Sequence, residues 1–368
     1  MSAPHVFGEI APQTQRPGAR RAAACLFLAV TTLTCPAHAD PVSSANGGSS
    51  TALTGAAEEP AGEEPMPAPA QTGPEPAPPR RYLGKGLSLA LVGGVYAAFW
   101  LICYEAWWGA AGHPKHDFEW IKDGWFASST YSGGADKLGH IYATHVLTRA
   151  TAGLLREGGW NPVLSTVLGV TASTGTYFLF EMRDGYYTGF SKNDMAANLL
   201  GAGLGVVMMH VPWLDERFDT RLQYWPSSGY LQDFHREGFN FNEDYTGMTF
   251  LLAYHLSTIE PIERLDAPLR FADLVIGFNA ENYRPRPTEV DALQRQHIYL
   301  GVSINLQRLA DELWLGRHPR FGDDAGRTHR FTQFATEFFN LPFTAVPILT
   351  LERNHIRWGQ VPNTEAQQ

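Results

Sequence analysis

The sequence predicts an α+β protein: a membrane-associated four-helix bundle followed by an antiparallel β meander. Three observations carry that expectation. Four segments between residues 87 and 214 have the length or periodicity of helices. After Trp225 the apolar period changes from helical to two. Between them, polar residues gather where the apolar segments end. The 368 residues suffice for one to three domains, and 44% hydrophobic content supplies a sizeable core. Charged residues make up 18%, below the ~25% usual for soluble domains. Ten tryptophans and 14 tyrosines suit a chain with interfacial aromatics. A formal charge of −9 argues against nucleic acid as a partner, because phosphate binding needs a basic surface.

The first segment reads as an export signal. Arg16, Arg20 and Arg21 precede an apolar run at 22–33, and Ala37-His38-Ala39 before Asp40 fits a cleavage site. Residues 1–39 are thus expected to be a signal peptide. Cys25 and Cys35 fall inside it, which leaves Cys103 alone and no disulfide framework. Residues 40–81 are rich in Ala, Pro, Gly, Ser and Glu, a composition that cannot offset its ordering entropy, and read as a disordered tether.

Residues 82–224 form the expected helical membrane-associated domain. The runs 87–104 and 162–180 carry no charge, and 195–214 has only His210 as an ionisable residue. Each matches the ~20 apolar residues that span a bilayer as a transmembrane helix. The run 136–156 is amphipathic, with His140, His145 and Arg149 on a stripe to be turned away from lipid. Gly201, Gly203 and Gly205 are expected to let helices approach closely.

Residues 240–358 form the expected β unit. Met248, Phe250, Leu252, Tyr254 and Leu256 alternate with mostly small or polar residues in 245–259. Similar alternation runs through 271–283 and, most cleanly, 297–307. A weaker strand at 343–352 carries Pro347 and follows Pro342, which demotes it to an edge. The predicted object is a meander with one apolar face. The competing reading counts these strands as outer-membrane spans, although four strands cannot close the smallest usual barrel of ~8.

Up-and-down threading brings two polar runs to one side. Asp136, Lys137 and His140 open the second helix; Glu181 and Asp184 end the third; Ser191, Asp194 and Asn198 open the fourth. Asp136 and His140, four apart, share a helical face and can share a metal or a proton. Lys137 adds a cation able to meet an anionic group. Ser191 and Asp194 also match a capping pattern, so they can simply start a helix. Lysines and arginines divide almost evenly between the two sides, so charge does not fix orientation.

The motifs D-K-x-x-H, E-x-x-D-G and F-S-x-x-D-x-x-x-N-x-x-G, in that order from Asp136 to Gly201, resemble the YfiM-like family of predicted periplasmic lipoproteins of unknown function. They are more distantly similar to VanZ-like membrane proteins. The resemblance implies an envelope location in a Gram-negative type bacterium and supplies no settled reaction.

Two functions fit these residues. The first is a non-catalytic envelope protein, partnered by membrane lipid or another envelope component, whose polar cluster holds the bundle together or binds a lipid head group. In it Lys137, Ser191 and Asn198 are the ligand-binding candidates. The alternative is a metal-dependent hydrolase or transferase acting on an envelope lipid or glycan. Its catalytic candidates are Asp136, His140, Glu181, Asp184 and Asp194; Asp136, His140, Glu181 and Asp194 would hold a divalent metal. Inner versus outer membrane stays open.

Overall fold

The computed structural model describes residues 83–104, 115–237, 241–264, 268–284, 292–310, 312 and 332–357. The expected signal peptide and tether lie outside the described residues. Four long helices come first: α1 (Lys85–Cys103), α2 (Ala135–Glu157), α3 (Pro162–Asp184) and α4 (Lys192–His210). Their boundaries follow local chemistry. Gly133 and Gly134 take positive φ angles of 59° and 92° and turn the chain into α2, where a side chain would strike the Tyr283 and Phe126 rings. Asn161 caps α3, its side-chain oxygen accepting from the Val163 and Leu164 amides at 2.9 and 3.2 Å, with Pro162 in the first turn. Ser191 caps α4 by accepting from the Asp194 amide at 3.0 Å. α4 stops at His210 because Pro212 has no N–H to continue it, so this helix is shorter than its apolar run.

α2 is the most enclosed helix and lies between two layers. Leu138, Tyr142 and Val146 turn toward the sheet and the helical residues 332–338. Thr144 and Thr148 turn the other way, toward α3 and α4, with Thr148 Oγ1 2.6 Å from Ser173 Oγ. Close approach there depends on Gly169, Gly201 and Gly205, which face the α2 backbone. Gly203 faces open space instead and takes no part in helix packing, contrary to the sequence expectation. α1 reaches α2 through Tyr96, whose hydroxyl is 3.1 Å from Thr151 Oγ1. Among the described residues, α1 and α3 are long and apolar enough to cross a membrane by length and composition.

A two-residue parallel pair, β1 (Trp120–Ile121) with β2 (Phe190–Ser191), ties the segment before α2 to the loop between α3 and α4. The main sheet contains β3 (Phe218–Tyr224), β4 (Met248–His255), β5 (Ala272–Glu281), β6 (Leu293–Ile304), β7 (Phe339–Asn340) and β8 (Val346–Arg357). Its order is β7-β3-β4-β5-β6-β8, antiparallel except for β3 with β7. β4, β5, β6 and β8 are the four strands expected from alternation, and β8 does lie at an edge. β3 was not expected: Phe218 to Tyr224 interleaves Asp219 and Arg221 with larger residues and follows directly on a helical region.

The sheet's two faces invert the usual arrangement. Leu252, Ile276, Leu300 and Leu349 stand opposite one another across four strands and are all exposed. The other face buries Arg221, Leu251, Gly277 and Tyr299 in one cross-strand row. Gly277 is required there because the Tyr299 ring lies where its Cβ would be. The sheet curls around this mixed face, which holds the apolar Leu251, Ala253, Val275 and Tyr299 as well as charges: Ser303 of β6 donates to Asn340 of β7 at 3.0 Å, although β3, β4 and β5 lie between them in sheet order. Within the curl, Arg221 pairs with Asp219 at 2.6 Å and Asp273 at 2.7 Å, and His255 reaches the same two carboxylates at 3.2 and 2.8 Å. Among the described residues, α2 and the segment preceding it cover the part of the apolar face around Met248, Phe250 and Phe278.

Candidate functional site

The site forms where α2 begins, and its centre is the Lys137 ammonium. Lys137 is 2% exposed and makes ion pairs with Asp123, with Asp194 and, at 2.9 Å, with Asp136. Asp123 comes from the segment just after β1, so the small β1–β2 pair sets its position. Ser191, at the end of β2, donates its hydroxyl to both Asp123 carboxylate oxygens at 2.9 Å, and Asn193 donates its side-chain amide to the Asp123 carbonyl and carboxylate. The Tyr245 hydroxyl, from just before β4, donates to Asp136 at 3.2 Å. One ammonium therefore joins the loop after β1, α2 and α4, and through Asp136 the sheet.

His140 sits one turn further along α2. Its Nδ1 is 3.0 Å from the Asn198 side-chain oxygen, an acceptor, so Nδ1 donates. That leaves Nε2 facing three carboxylates: Asp136 at 3.5 Å, and Glu181 and Asp194 at 3.8 Å each. Burial disfavours an imidazolium, but the charges of Asp194 and Asp136 outweigh it and push the His140 pKa up to about 10. Asp136 moves the opposite way: burial raises it, yet His140 and Lys137 hold it well below the usual carboxylate range. Asp194 is raised to about 6, by burial first and then by the Asp136 charge. Lys137 is held charged by Asp136 and Asp194 against its own burial.

The fold thus brings together Asp136, Lys137, His140, Glu181, Ser191, Asp194 and Asn198. Asp184 closes the turn after α3 with its carbonyl oxygen, which accepts from the amides of Tyr187, Thr188 and Gly189, and its carboxylate charge, after burial, is among the causes that push Glu181 up. The capping pattern holds, since Ser191 accepts from the Asp194 amide, and the Ser191 hydroxyl also donates to Asp123. Lys137, the cation expected to meet an anionic group, has its ammonium on the internal carboxylates of Asp123, Asp136 and Asp194. Sequence reasoning missed Asn193 and Tyr245, which donate to the cluster's carboxylates, and above all Asp123. Asp123 lies in Lys122-Asp123-Gly124, a short polar run with no periodicity, and only the β1–β2 pairing brings it within reach.

Three residues offer a cation a compact set of donors. One atom each from Asp136, His140 and Asp194 lies within 4.8 Å of the others, and Glu181 falls outside that set. Nδ1 donates to Asn198, so a metal would bind at Nε2, and only by displacing the proton that the raised His140 pKa keeps there. Lys137 already places a positive charge against two of the three.

Residues 122–210 match the family model described as a predicted periplasmic lipoprotein, DUF2279, a family of unknown function. The match starts just before Asp123 and ends with α4, so it contains every cluster residue except Tyr245, and the resemblance read from the motifs holds over this segment. The description is that of an envelope protein of uncharacterised activity; the sheet lies outside the matched residues. No curated protein and no solved structure matches the chain.

Proposed function

We propose that this protein is a non-catalytic, membrane-associated module of the Gram-negative type cell envelope, in which the Lys137 cluster locks helices and sheet into one unit. The observation that carries this reading is the use of the Lys137 ammonium: three carboxylates from three separate segments meet on one buried cation. A catalytic or ligand-binding lysine keeps a direction open to its substrate; this one does not. Such networks fix one arrangement of elements, because every alternative packing strands a buried charge. The helices α1 and α3 supply the membrane association through length and apolar composition. The test is Asp136→Asn in detergent-purified protein. The variant should unfold at a clearly lower temperature and lose assembly with its envelope partners; unchanged stability would overturn the proposal.

A second reading is favoured by the Asp136, His140 and Asp194 donor set. Here the residues hold a divalent metal, and Glu181, outside the donor set but near His140, serves as base for hydrolysis or transfer on an envelope lipid or glycan. Elemental analysis of protein purified without chelator decides between the two. Stoichiometric metal that disappears in His140→Ala supports the metal site; a metal-free wild type retires it.

A further inference from the structure

We infer that the outward face of the main sheet lies against the acyl chains of a phospholipid bilayer, so that the sheet as well as the helices is embedded. This rests on the membrane-associated reading above and assigns it a second surface. The outward rows are continuous across strands: Leu274 beside Val302 and Val346, then Leu252 beside Ile276, Leu300 and Leu349, then Ile298 beside Leu351. Ile276 is 53% exposed and Ile298 51%, whereas Asp273 on the inner face is 0% exposed. An inner face that mixes buried charges with the Leu251, Ala253, Val275 and Tyr299 cluster, beneath an outward face of exposed branched aliphatics, is the polarity of a membrane β-wall, not of a sheet in water. Exposed aromatics bracket β3 as interfacial residues do. Trp213 stacks near Phe218 at its start, and Trp225, which follows its end, packs on exposed Phe343.

A protein partner does not account for the whole pattern. Val163, Val167 and Phe178 of α3 and Leu199, Leu200 and Val207 of α4 are also exposed. They belong to the layer on the opposite side of α2 from the sheet, as the Thr148–Ser173 and Tyr142–Phe250 contacts establish. A second copy docked on the sheet would leave that side in water. Hydrocarbon surrounding the molecule covers both. Inside the curl Arg221, His255, Asp219 and Asp273 pair with one another, so none of these charges is turned to the outward face.

The test uses the full chain with Cys25, Cys35 and Cys103 replaced by Ala. Single cysteines are introduced as Ile276→Cys, Leu300→Cys, Val167→Cys and Leu200→Cys, each carrying a nitroxide. The protein is reconstituted in phosphatidylethanolamine–phosphatidylglycerol vesicles, and collision rates with oxygen and with a water-soluble nickel chelate are measured. All four positions are exposed, and far-UV circular dichroism verifies that each variant folds. Oxygen accessibility several-fold above nickel accessibility at 276 and 300, matching 167 and 200, is the expected result. Lipid contact at 167 and 200 with nickel contact at 276 and 300 overturns the sheet assignment alone. Low collision rates with both reagents at 276 and 300 mean that protein covers the face, which also overturns it. Nickel contact at all four positions removes the membrane reading together with this inference.

Discussion

Replacing Lys137 by Met tests the centre of the cluster. Met keeps most of the side-chain volume but removes the charge, leaving Asp123, Asp136 and Asp194 converging on an apolar group. Removing one partner of a buried ion pair costs about 3–5 kcal/mol. Here one cation serves three anions, so the upper end applies at neutral pH. For a folded unit of this size each kcal/mol lowers the midpoint by about 2–4 °C, which places the expected shift on the order of 10 °C. The cost should also depend on pH. Asp194 already has its pKa raised to about 6 by burial and by Asp136, and without Lys137 it rises further. Acid protonates it and relieves the repulsion, so the deficit should be smaller at pH 5 than at pH 8. Thermal unfolding of detergent-solubilised protein, followed by circular dichroism at both values, measures this. Lys192→Met is the control, since Lys192 is exposed and only overlies the Trp120 ring at 4.8 Å. A Lys137→Met protein within about 1 kcal/mol of wild type, or one whose deficit ignores pH, would refute the argument, because a buried unpaired carboxylate group cannot be that cheap.

His140 makes a second pH signature. Its folded pKa of about 10 exceeds its ordinary value of 6.5, so its contribution is full below pH 6.5 and is lost as pH rises through about 10. Wild-type unfolding midpoints should therefore fall across that window, and His140→Gln should flatten the fall; parallel slopes in both proteins would count against it. Glycine substitutions separate packing from propensity. A methyl at Gly201 overlaps the Ile141 carbonyl and Thr144 hydroxyl of α2, so Gly201→Ala should destabilise by several kcal/mol. Gly203→Ala meets open space and should be neutral or stabilising by up to ~1 kcal/mol, since Ala is the better helix former. Chemical denaturation of the pair checks this, and equal effects would mean that α2 and α4 do not cross where they are placed.

Local signals marked the helices and four of the six main strands well, because each is written within a few residues. Apolar length, the Asn161-Pro162 cap and the Ser191 cap fix α3 and α4, and alternation fixes β4, β5 and β6. Most of the site was legible for a related reason: threading alone puts the start of α2, the end of α3 and the start of α4 together. What was not legible depends on pairings distant in sequence. Asp123 enters the site through a two-residue parallel bridge to β2, and β3 exists because β4 offers it a partner over seven residues. Which face of the sheet is buried was equally hidden. Alternation shows that the two faces differ; the curl that brings Ser303 to Asn340 shows that the face bearing Arg221 and Asp273 is inside.

The ion nodes explain how such an inside can persist. Lys137 meets three carboxylates, Arg149 meets Asp215 at 2.7 Å as well as Glu337, and Arg221 meets Asp219 and Asp273. Each of these three cations is almost fully buried, and each links segments far apart in the chain: the loop after β1 with α2 and α4, α2 with residues 332–338, β3 with β5. Acids outnumber the fixed cations at every node, and His140 and His255 stand beside the surplus at two of them. In water this would be a poor way to hold layers together, since desolvation consumes most of the Coulomb gain while exposed leucines and isoleucines forgo ~25 cal/mol per Å². Against hydrocarbon the comparison reverses. Charges turned outward would be the costly state, apolar residues turned outward lose nothing, and the paired interior becomes the low-energy arrangement. The proposed lipid contact of Ile276 and Leu300 and the confinement of Arg221, Arg149 and Lys137 to the core then follow from the same physics, with those pairings determining how sheet and helices fit.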